Sequence, residues 1–544
     1  MILQLFIYLI VFFVCLGYGD ALQQIIGQKS RNLAIQFIFG ILLLATVFLL
    51  LGFFVPLDER VEVPLSIAGL VLSWIYRESI YRAMLNIKPT VVFYIMLGFT
   101  LYFSVQKPIL YDHYSYYLPT VKYLNQLGLV KGIGNFELVL AQTSLWHILQ
   151  AGFDNSLDVY FGLNGVLLVV FLIYTSTVNE QRLYLFIPFF LLLCSSLSTD
   201  LPVYILSLIW IHQMLINRNH FSFWMTFSVF IFCIKPTAFI LILAVFGLYL
   251  MRKLKFVVRD FSFATFLVLL HFFKQIWLSS NPFFPVGFFN IQQWSWSIPV
   301  ETYHLSGLYG RYNPLSGYFG WQEVMEMSTV EYYRNVMLNA GETSFLHLCT
   351  LLLMIGCIFL TYYKKHSILL FLSVMLLLKT IVVLLVSPQY RLNLDVLILS
   401  LFMLIYLSRI RTLWINLSLM VAVFGVLVVV FSPVPKLQKW TQTNRFNTSF
   451  RKFWFEPYQF QSKVYSLEKI ELNGTHYFYV NRQLLGNYPV NTLNYYILKD
   501  WYQTGYYAVP IESENLKKGY QSIPIDEKIA SQLDELFKKQ PQFR

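Results

Sequence analysis

Aspartates and cations standing beside long apolar runs are the residues of this sequence best suited to chemistry. Asp112 lies in Tyr111-Asp112-His113-Tyr114-Ser115-Tyr116-Tyr117, just after one such run. A carboxylate there faces the boundary where a lipid headgroup sits, and it can take a proton from an acceptor hydroxyl as general bases do. Its competing role is a helix N-cap, which Asp also favours. Asp200 stands in Ser198-Thr199-Asp200-Leu201-Pro202, a tight turn between two runs. The Leu-Pro continuation makes a good helix start, because Pro is accepted in the first turn. A second carboxylate on the same membrane face as Asp112 nevertheless points to a shared site.

Two cations join them. Lys235, followed by Pro236, lies at the outer end of an apolar hairpin. Charge at membrane depth is expensive and often functional, although a lysine can also snorkel to the interface. Arg391 ends the turn Ser387-Pro388-Gln389-Tyr390-Arg391. Arginine binds phosphate in a fork geometry, so with Lys235 it could hold a lipid-linked phosphate or diphosphate. The alternative partner for Arg391 is Asp395, one helical turn on. The segment 279–344 adds Glu301, His304, Arg311, Glu323 and Arg334. Trp294 and Trp296 in it either stack on a sugar ring or anchor the loop at the interface. A Walker loop, a zinc-protease pair and a Rossmann glycine pattern are all absent, so ATP-driven or redox chemistry has no support.

These residues hang on a strongly apolar frame. Of 544 residues, 57% are hydrophobic and 12% charged, against about 45–50% and about 25% in a soluble domain. Apolar runs occupy roughly 1–19, 33–56, 63–76, 90–105, 157–175, 183–198, 201–216, 221–234, 237–250, 261–278, 345–362, 367–386, 391–407 and 412–431. Their lengths predict an α-helical polytopic membrane protein of about fourteen spans. Several runs are short, which suits ends that lie deep in the bilayer or line a cavity. The formal charge of +12 comes from Lys and Arg that mostly flank these runs, so it reads as topology rather than nucleic-acid binding. Cys15, Cys194, Cys233, Cys349 and Cys357 all lie in apolar runs without a CxxC pair, which predicts buried hydrophobes rather than disulfides or a zinc site.

Alternate loops differ in charge. One set holds Lys29, Arg31, Arg77, Arg82, Lys88, Arg182, Arg218, Arg252, Lys253, Lys255, Arg259, Lys364, Lys365, Arg409 and Arg411. The positive-inside rule makes that set cytoplasmic and both termini non-cytoplasmic. The start Met1-Ile2-Leu3-Gln4 lacks a basic n-region, so the first run is expected to be a span rather than a cleaved signal.

The chain thus divides into N-terminal spans 1–105, a first outer loop 106–156, central spans 157–278, a second outer loop 279–344, C-terminal spans 345–432 and a polar outer tail 433–544. In the first loop, Leu118, Val121 and Leu124 share one helical face, and Leu138, Ala141, Leu145 and Ile148 share another. These spacings predict two amphipathic helices along the membrane surface. The second loop, rich in Trp, Tyr, Pro and Gly, reads as irregular. In the tail, Ile470–Val480 with Gly474 inside predicts a β-hairpin, and 526–540 a terminal helix, giving a small α+β domain.

An outer Asp after an early span, followed by two amphipathic helices, is similar to the layout of GT-C-type glycosyltransferases, multispanning enzymes that use polyprenyl-phosphate-linked sugars. A closer resemblance is to an uncharacterised family of bacterial multispanning proteins grouped with GT-C-like membrane proteins. It is carried by Asp112-xxx-Tyr116, Leu129-Val130-Lys131-Gly132-Ile133-Gly134-Asn135, Thr143-Ser144-Leu145-Trp146, Ser198-Thr199-Asp200-Leu201-Pro202, Ile234-Lys235, Asn281-Pro282-Phe283-Phe284-Pro285 and Pro388-Gln389-Tyr390-Arg391, in that order. The resemblance implies a bacterial inner-membrane enzyme in which Asp112 activates an acceptor hydroxyl and Asp200 positions it or binds a divalent metal. Lys235 and Arg391 would then neutralise the leaving phosphate, with Tyr116, Tyr117, Arg311 and His304 as further substrate contacts. Membrane lipid, a polyprenyl-phosphate-linked sugar donor and a glycan or lipid acceptor are the implied partners; no cofactor is required by the pattern. The chain departs from it at Tyr117, where the family has His, near Val139, where Arg is common, and at Thr143, where Asn stands. Those departures point to a different substrate or reduced activity.

Three other readings compete. A polysaccharide polymerase or ligase also needs outer-loop arginines, here Arg311 and Arg334. A transporter or flippase expects mid-span charges and two related halves; Lys379 is such a charge, but no repeat is found. A non-catalytic assembly subunit would leave the outer acids and cations dispensable.

Overall fold

A computed structural model describes residues 2–27, 30–106, 108, 110–157, 162–216, 221–252, 258–408, 412–431, 467–480, 488–513 and 515–538. The expected charges at Lys29, Arg218, Lys253, Lys255, Arg409 and Arg411, and the start of the tail, lie outside them. The chain is mostly helical, 74%, with a small sheet region near its C-terminus.

The N-terminal part comprises α1 (Ile2–Ile25), α2 (Leu33–Gly52), α3 (Glu59–Ile75), α4 (Arg77–Met84) and α5 (Val91–Ser104). Gly40 allows α2 to meet α1 backbone to backbone: a Cβ there would lie 1.7 Å from the Cys15 carbonyl oxygen. Segment 106–156 follows with a π-helical turn (His113–Tyr117), α6 (Leu118–Leu127), α7 (Ile133–Phe136) and α8 (Leu145–Ala151). The central part holds α9 (Leu163–Val178), α10 (Ile187–Leu191), α11 (Asp200–Ile216), α12 (Phe221–Ile234), α13 (Phe239–Arg252) and α14 (Val258–Ser279). In segment 279–344 lie α15 (Val300–Tyr312), α16 (Trp321–Glu326) and α17 (Thr329–Leu338). After it come α18 (Glu342–Tyr363), α19 (Ser367–Val386), α20 (Leu394–Leu407) and α21 (Thr412–Phe431).

Among the described residues, five helical stretches are long and apolar enough to cross a membrane: Gln4–Ile25, Leu33–Gly52, Phe261–Ser279, Glu342–Tyr363 and Ser367–Val386. Shorter apolar helices occupy most of the remaining apolar runs. The run at 183–198 is not one continuous helix. It enters as a 3-10 turn, passes through α10 and breaks into turns before Asp200. The freed backbone groups are satisfied inside the protein, as irregular backbone at such depth must be. Asn164 Nδ2 donates to the carbonyls of Ser196 (2.6 Å) and Ser198 (2.9 Å).

Two local expectations need correction. Only the first amphipathic segment forms a single helix, α6, with Leu118, Val121 and Leu124 buried. The second is divided at Thr143–Ser144, because Ser144 caps α8, its Oγ accepting from the Trp146 N–H at 3.0 Å. Both segments are packed into the core rather than lying free on a surface. The second outer loop is also more ordered than its composition suggests. Its helices enclose their own small core of Leu315, Val324, Met327, Tyr332, Val336 and Ala340.

The tail forms β1 (Glu468–Leu472), β2 (Thr475–Val480), β3 (Thr492–Asn494), α22 (Tyr495–Thr504), β4 (Tyr506–Pro510), β5 (Tyr520–Pro524) and α23 (Glu527–Lys538). β1 and β2 form the expected hairpin, pairing antiparallel with Leu472 opposite Thr475. Asn473 and Gly474 both have positive φ, the requirement of a two-residue hairpin turn. β3 adds parallel to β2, while β4 and β5 form a separate antiparallel pair.

The tail is bolted to the first outer loop. The Tyr520 N–H donates to the Lys131 carbonyl at 2.9 Å. Asn135 Nδ2 donates to the Trp296 carbonyl (2.9 Å), and Asn135 Oδ1 accepts from Ser522 Oγ (2.6 Å). Gly132, at φ +62°, has no room for a side chain: a Cβ would lie 2.4 Å from the Tyr520 carbonyl oxygen. At the rim of this junction, Tyr309 of α15 donates to Asp500 Oδ1 of α22 at 2.8 Å. Burial, with Asp500 as a second cause, pushes Glu137 up to about 8. Burial pushes Asp500 up to about 6 against the lowering effect of Tyr309.

Candidate functional site

Asp112 precedes the π-helical turn, part-exposed, and its carboxylate is not used as a cap: no side-chain capping bond is made there. Arg391 Nη1 donates to Asp112 Oδ2 instead, joining residues 279 apart in sequence. Single π-turns recur at functional sites because they re-aim side chains. Arg391 is held from behind by Gln389 Oε1 at 3.1 Å. Asp200 is likewise relieved of capping duty, since Ser198 Oγ accepts from its N–H at 3.0 Å. The Asp200 carboxylate takes the ammonium of Lys235. Both ion pairs belong to one electrostatic cluster: Arg391 interacts with Tyr116, Asp112, Tyr117 and Asp200.

A third pair lies in the same cluster. Lys379 of α19 donates to Asp395 of α20, and Lys379 also feels Lys235. Accessibility falls steadily along the series. Arg391 and Asp112 side chains are 43% and 25% exposed, Lys235 and Asp200 17% and 16%, and Lys379 and Asp395 0% and 8%. The first pair is therefore within reach of a ligand, and the last is sealed.

The floor is built from the motif residues. Ser144 Oγ donates to the Ile234 carbonyl at 2.7 Å, beside Lys235. Trp146 Nε1 donates to Asn164 Oδ1 at 2.8 Å. His113 Nδ1 accepts from the Leu197 N–H at 3.1 Å, and His147 packs against Tyr117 with ring centroids 5.2 Å apart. Burial pushes His113 down to about 3; burial and then Lys274 push His147 down to about 3. Both imidazoles are buried and already accept a backbone N–H at Nδ1, which leaves the more accessible carboxylates as the candidate bases. Tyr116 and Tyr117 wall the cluster, their hydroxyls raised by burial.

Asp112, Tyr116, Tyr117, Asp200, Lys235 and Arg391 are therefore brought together. Arg391 pairs with Asp112 and not with Asp395, which Lys379 takes. Arg311 is not in the cluster: its Nη2 donates to the Met327 carbonyl at 2.6 Å and its guanidinium lies over Tyr332. It serves the small core of the second outer loop. His304 is exposed on α15. Trp296 stacks on Trp294 at 4.7 Å and carries Lys131 Nζ 3.4 Å from its ring centre, so its ring is already engaged. Asn281 is a turn clamp, its Nδ2 donating to the Val286 carbonyl at 2.7 Å. Among the described residues no group of three or more His, Cys, Asp and Glu is placed to hold a metal.

Sequence reasoning passed over Lys274. It is buried in α14, its Nζ donates to the Thr143 carbonyl, and no acid pairs with it among the described residues. An ionisable residue inside an apolar run is the signal that would have drawn attention to it.

Residues 1–398 match a family described as Domain of unknown function (DUF8201). The chain belongs to that family. Its matched region carries all three ion pairs. No curated protein and no solved structure matches the chain.

Proposed function

We propose that the protein is a membrane glycosyltransferase of GT-C-like layout, with about fourteen spans and both termini outside. It moves a sugar from a polyprenyl-phosphate-linked donor to a lipid or envelope-glycan acceptor at the outer face of a bacterial inner membrane. The observation that supports this most is the reachable Asp112–Arg391 pair backed by Asp200–Lys235. It provides a base for a hydroxyl and two cations for a leaving phosphate in one place.

In this reading Asp112 accepts the proton of the acceptor hydroxyl while that oxygen bonds to the sugar's anomeric carbon. The bond from that carbon to the phosphate oxygen breaks, and the electron pair leaves with the phosphate. Arg391 and Lys235 stabilise the charge that develops there. Each cation starts paired to a carboxylate, so donor binding exchanges a protein carboxylate for a phosphate. Asp200 holds Lys235 until that exchange. The tail covers the first outer loop and contributes to the acceptor side.

The sealed Lys379–Asp395 pair within α19 and α20 favours a second reading, a lipid or glycan transporter, because buried intramembrane charges commonly mark transport pathways. One comparison separates the two. Envelope glycans and lipids are profiled in a strain lacking the gene, complemented with wild type, Asp112→Asn or Arg391→Ala at matched membrane levels. Loss of a glycan that only wild type restores supports the transferase. Full restoration by both variants overturns it and leaves the transporter.

A further inference from the structure

A concavity of about 560 Å³ shares no residue with the ion-pair cluster. Its walls are hydrogen-bonded to one another. Glu62 accepts the N–H groups of Ser156 (2.7 Å) and Leu157 (2.8 Å), which fixes the segment after α8. Asn155 Nδ2 donates to the Leu57 carbonyl at 2.9 Å, and the Leu57 N–H donates to the Leu124 carbonyl at 3.0 Å. Three separate segments (the turn before α3, α6 and the end of α8) are thereby locked around one space.

Every lining residue carries a polar or charged group, with aliphatic stems of the long side chains between those groups. Asp58 and Arg60 pair on one wall, with Arg60 Nε donating to Asp58 Oδ2 at 2.9 Å. Lys122, Asn125 and Gln126 of α6 face them, and Asp154 accepts from Asn125 Nδ2 at 2.9 Å. No aromatic or aliphatic side chain lines the space, which argues against an acyl chain or other apolar ligand. Three carboxylates stand against two cations. Asp58 engages Arg60, and Asp154 acts on Lys122, which argues against phosphate. The close mixture of carboxylate and amide acceptors with ammonium, guanidinium and amide donors suits a ligand dense in hydroxyls, each both donor and acceptor. The volume lies within the about 300–1,000 Å³ range of small-molecule sites.

We propose that this cavity binds the uncharged, hydroxyl-rich part of a glycan. Asn125 lies eight residues beyond Tyr117, about 12 Å along α6, so a glycan seated here can extend towards Asp112. Its identity as the acceptor rests on the transferase reading; glycan binding as such does not.

The test uses the full chain in nanodiscs. The soluble probes are end-labelled tetrasaccharides of glucose, galactose, mannose and N-acetylglucosamine. The lipid probes are digalactosyl-diacylglycerol and phosphatidylglycerol, incorporated in the disc. Saturable binding of at least one glycan is expected, through a free tetrasaccharide or a lipid headgroup according to which probe responds. Glu59→Ala combined with Gln126→Ala removes two exposed lining groups and should weaken it about tenfold, the cost of two modest hydrogen bonds. Asp112→Asn should leave it unchanged, even where it abolishes transfer. Absence of glycan binding, equal binding by the double variant, or preference for phosphatidylglycerol overturns the proposal. Loss with Asp112→Asn alone also overturns it, by placing the glycan at the ion-pair cluster.

Discussion

Asp112–Arg391 and Lys379–Asp395 are the same kind of pair in opposite settings. The outer pair joins a loop to a turn and keeps a quarter or more of each side chain exposed. The inner pair joins two apolar helices and is sealed. Water and ligands can compete for the outer pair, so its members can exchange partners at little cost. Nothing competes for the inner pair, and each member is hostage to the other. Exposure, rather than residue type, separates a pair available for chemistry from one that holds helices together.

Asp112→Asn offers the largest effect through which to break this contrast. If the outer pair is chemical, transfer should fall about 10²–10⁴-fold, the usual contribution of a general base. Thermal stability of the purified protein should move by no more than about 1 kcal/mol, as for an accessible ion pair. A stability loss as large as the activity loss would erase the distinction.

Lys379→Met tests the other half. Stranding Asp395 without its cation should destabilise the protein by about 3–5 kcal/mol, and the double replacement Lys379→Met with Asp395→Leu should recover most of that loss. Denaturation monitored by tryptophan fluorescence in detergent reads both. Equal stability of the single variant and wild type would show that the inner pair is not sealed.

Glu137 and Asp500 sharpen the comparison with the smallest effect, since they are half-buried acids between loop and tail that form no ion pair among the described residues. Their values of about 8 and about 6 lie above the ordinary carboxylate range near about 4. A raised acid is favoured in its protonated form by the folded state. Tail docking should therefore be firmest below about pH 4 and weaken as pH rises through about 6 and then about 8. Proteolysis of the tail across pH 5–9 should follow that slope. Glu137→Gln should flatten its upper part, and an unchanged slope would rule out Glu137 as its source.

Much of the frame was legible because hydrophobic length and turn chemistry are local. The long apolar runs became apolar helices, and Asn473-Gly474 made its hairpin. Asp112, Asp200, Lys235 and Arg391 stood out as charges at the ends of apolar runs. Local patterns failed where a tertiary partner intervened. The 138–148 stripe had helical spacing, yet Ser144 found the Ile234 carbonyl and started a new helix. The 183–198 run was apolar enough for a helix, yet Asn164 stabilised its broken backbone. Trp296 was open to sugar stacking or loop anchoring by its position alone, and only the fold shows its ring taken by Trp294 and Lys131.

By itself the sequence determined that this chain is built of apolar helices with most charges at their ends or in polar segments between them, because burying unpaired charge is costly. Only the tertiary structure decided which carboxylate meets which cation. Arg391 has Asp395 four residues away and Asp112 279 residues away, and packing chose the distant one. Lys379 projects from α19 onto the start of α20 and takes Asp395 first. Ion pairing follows from what helices bring within a few ångströms, and no spacing within a single helix records that.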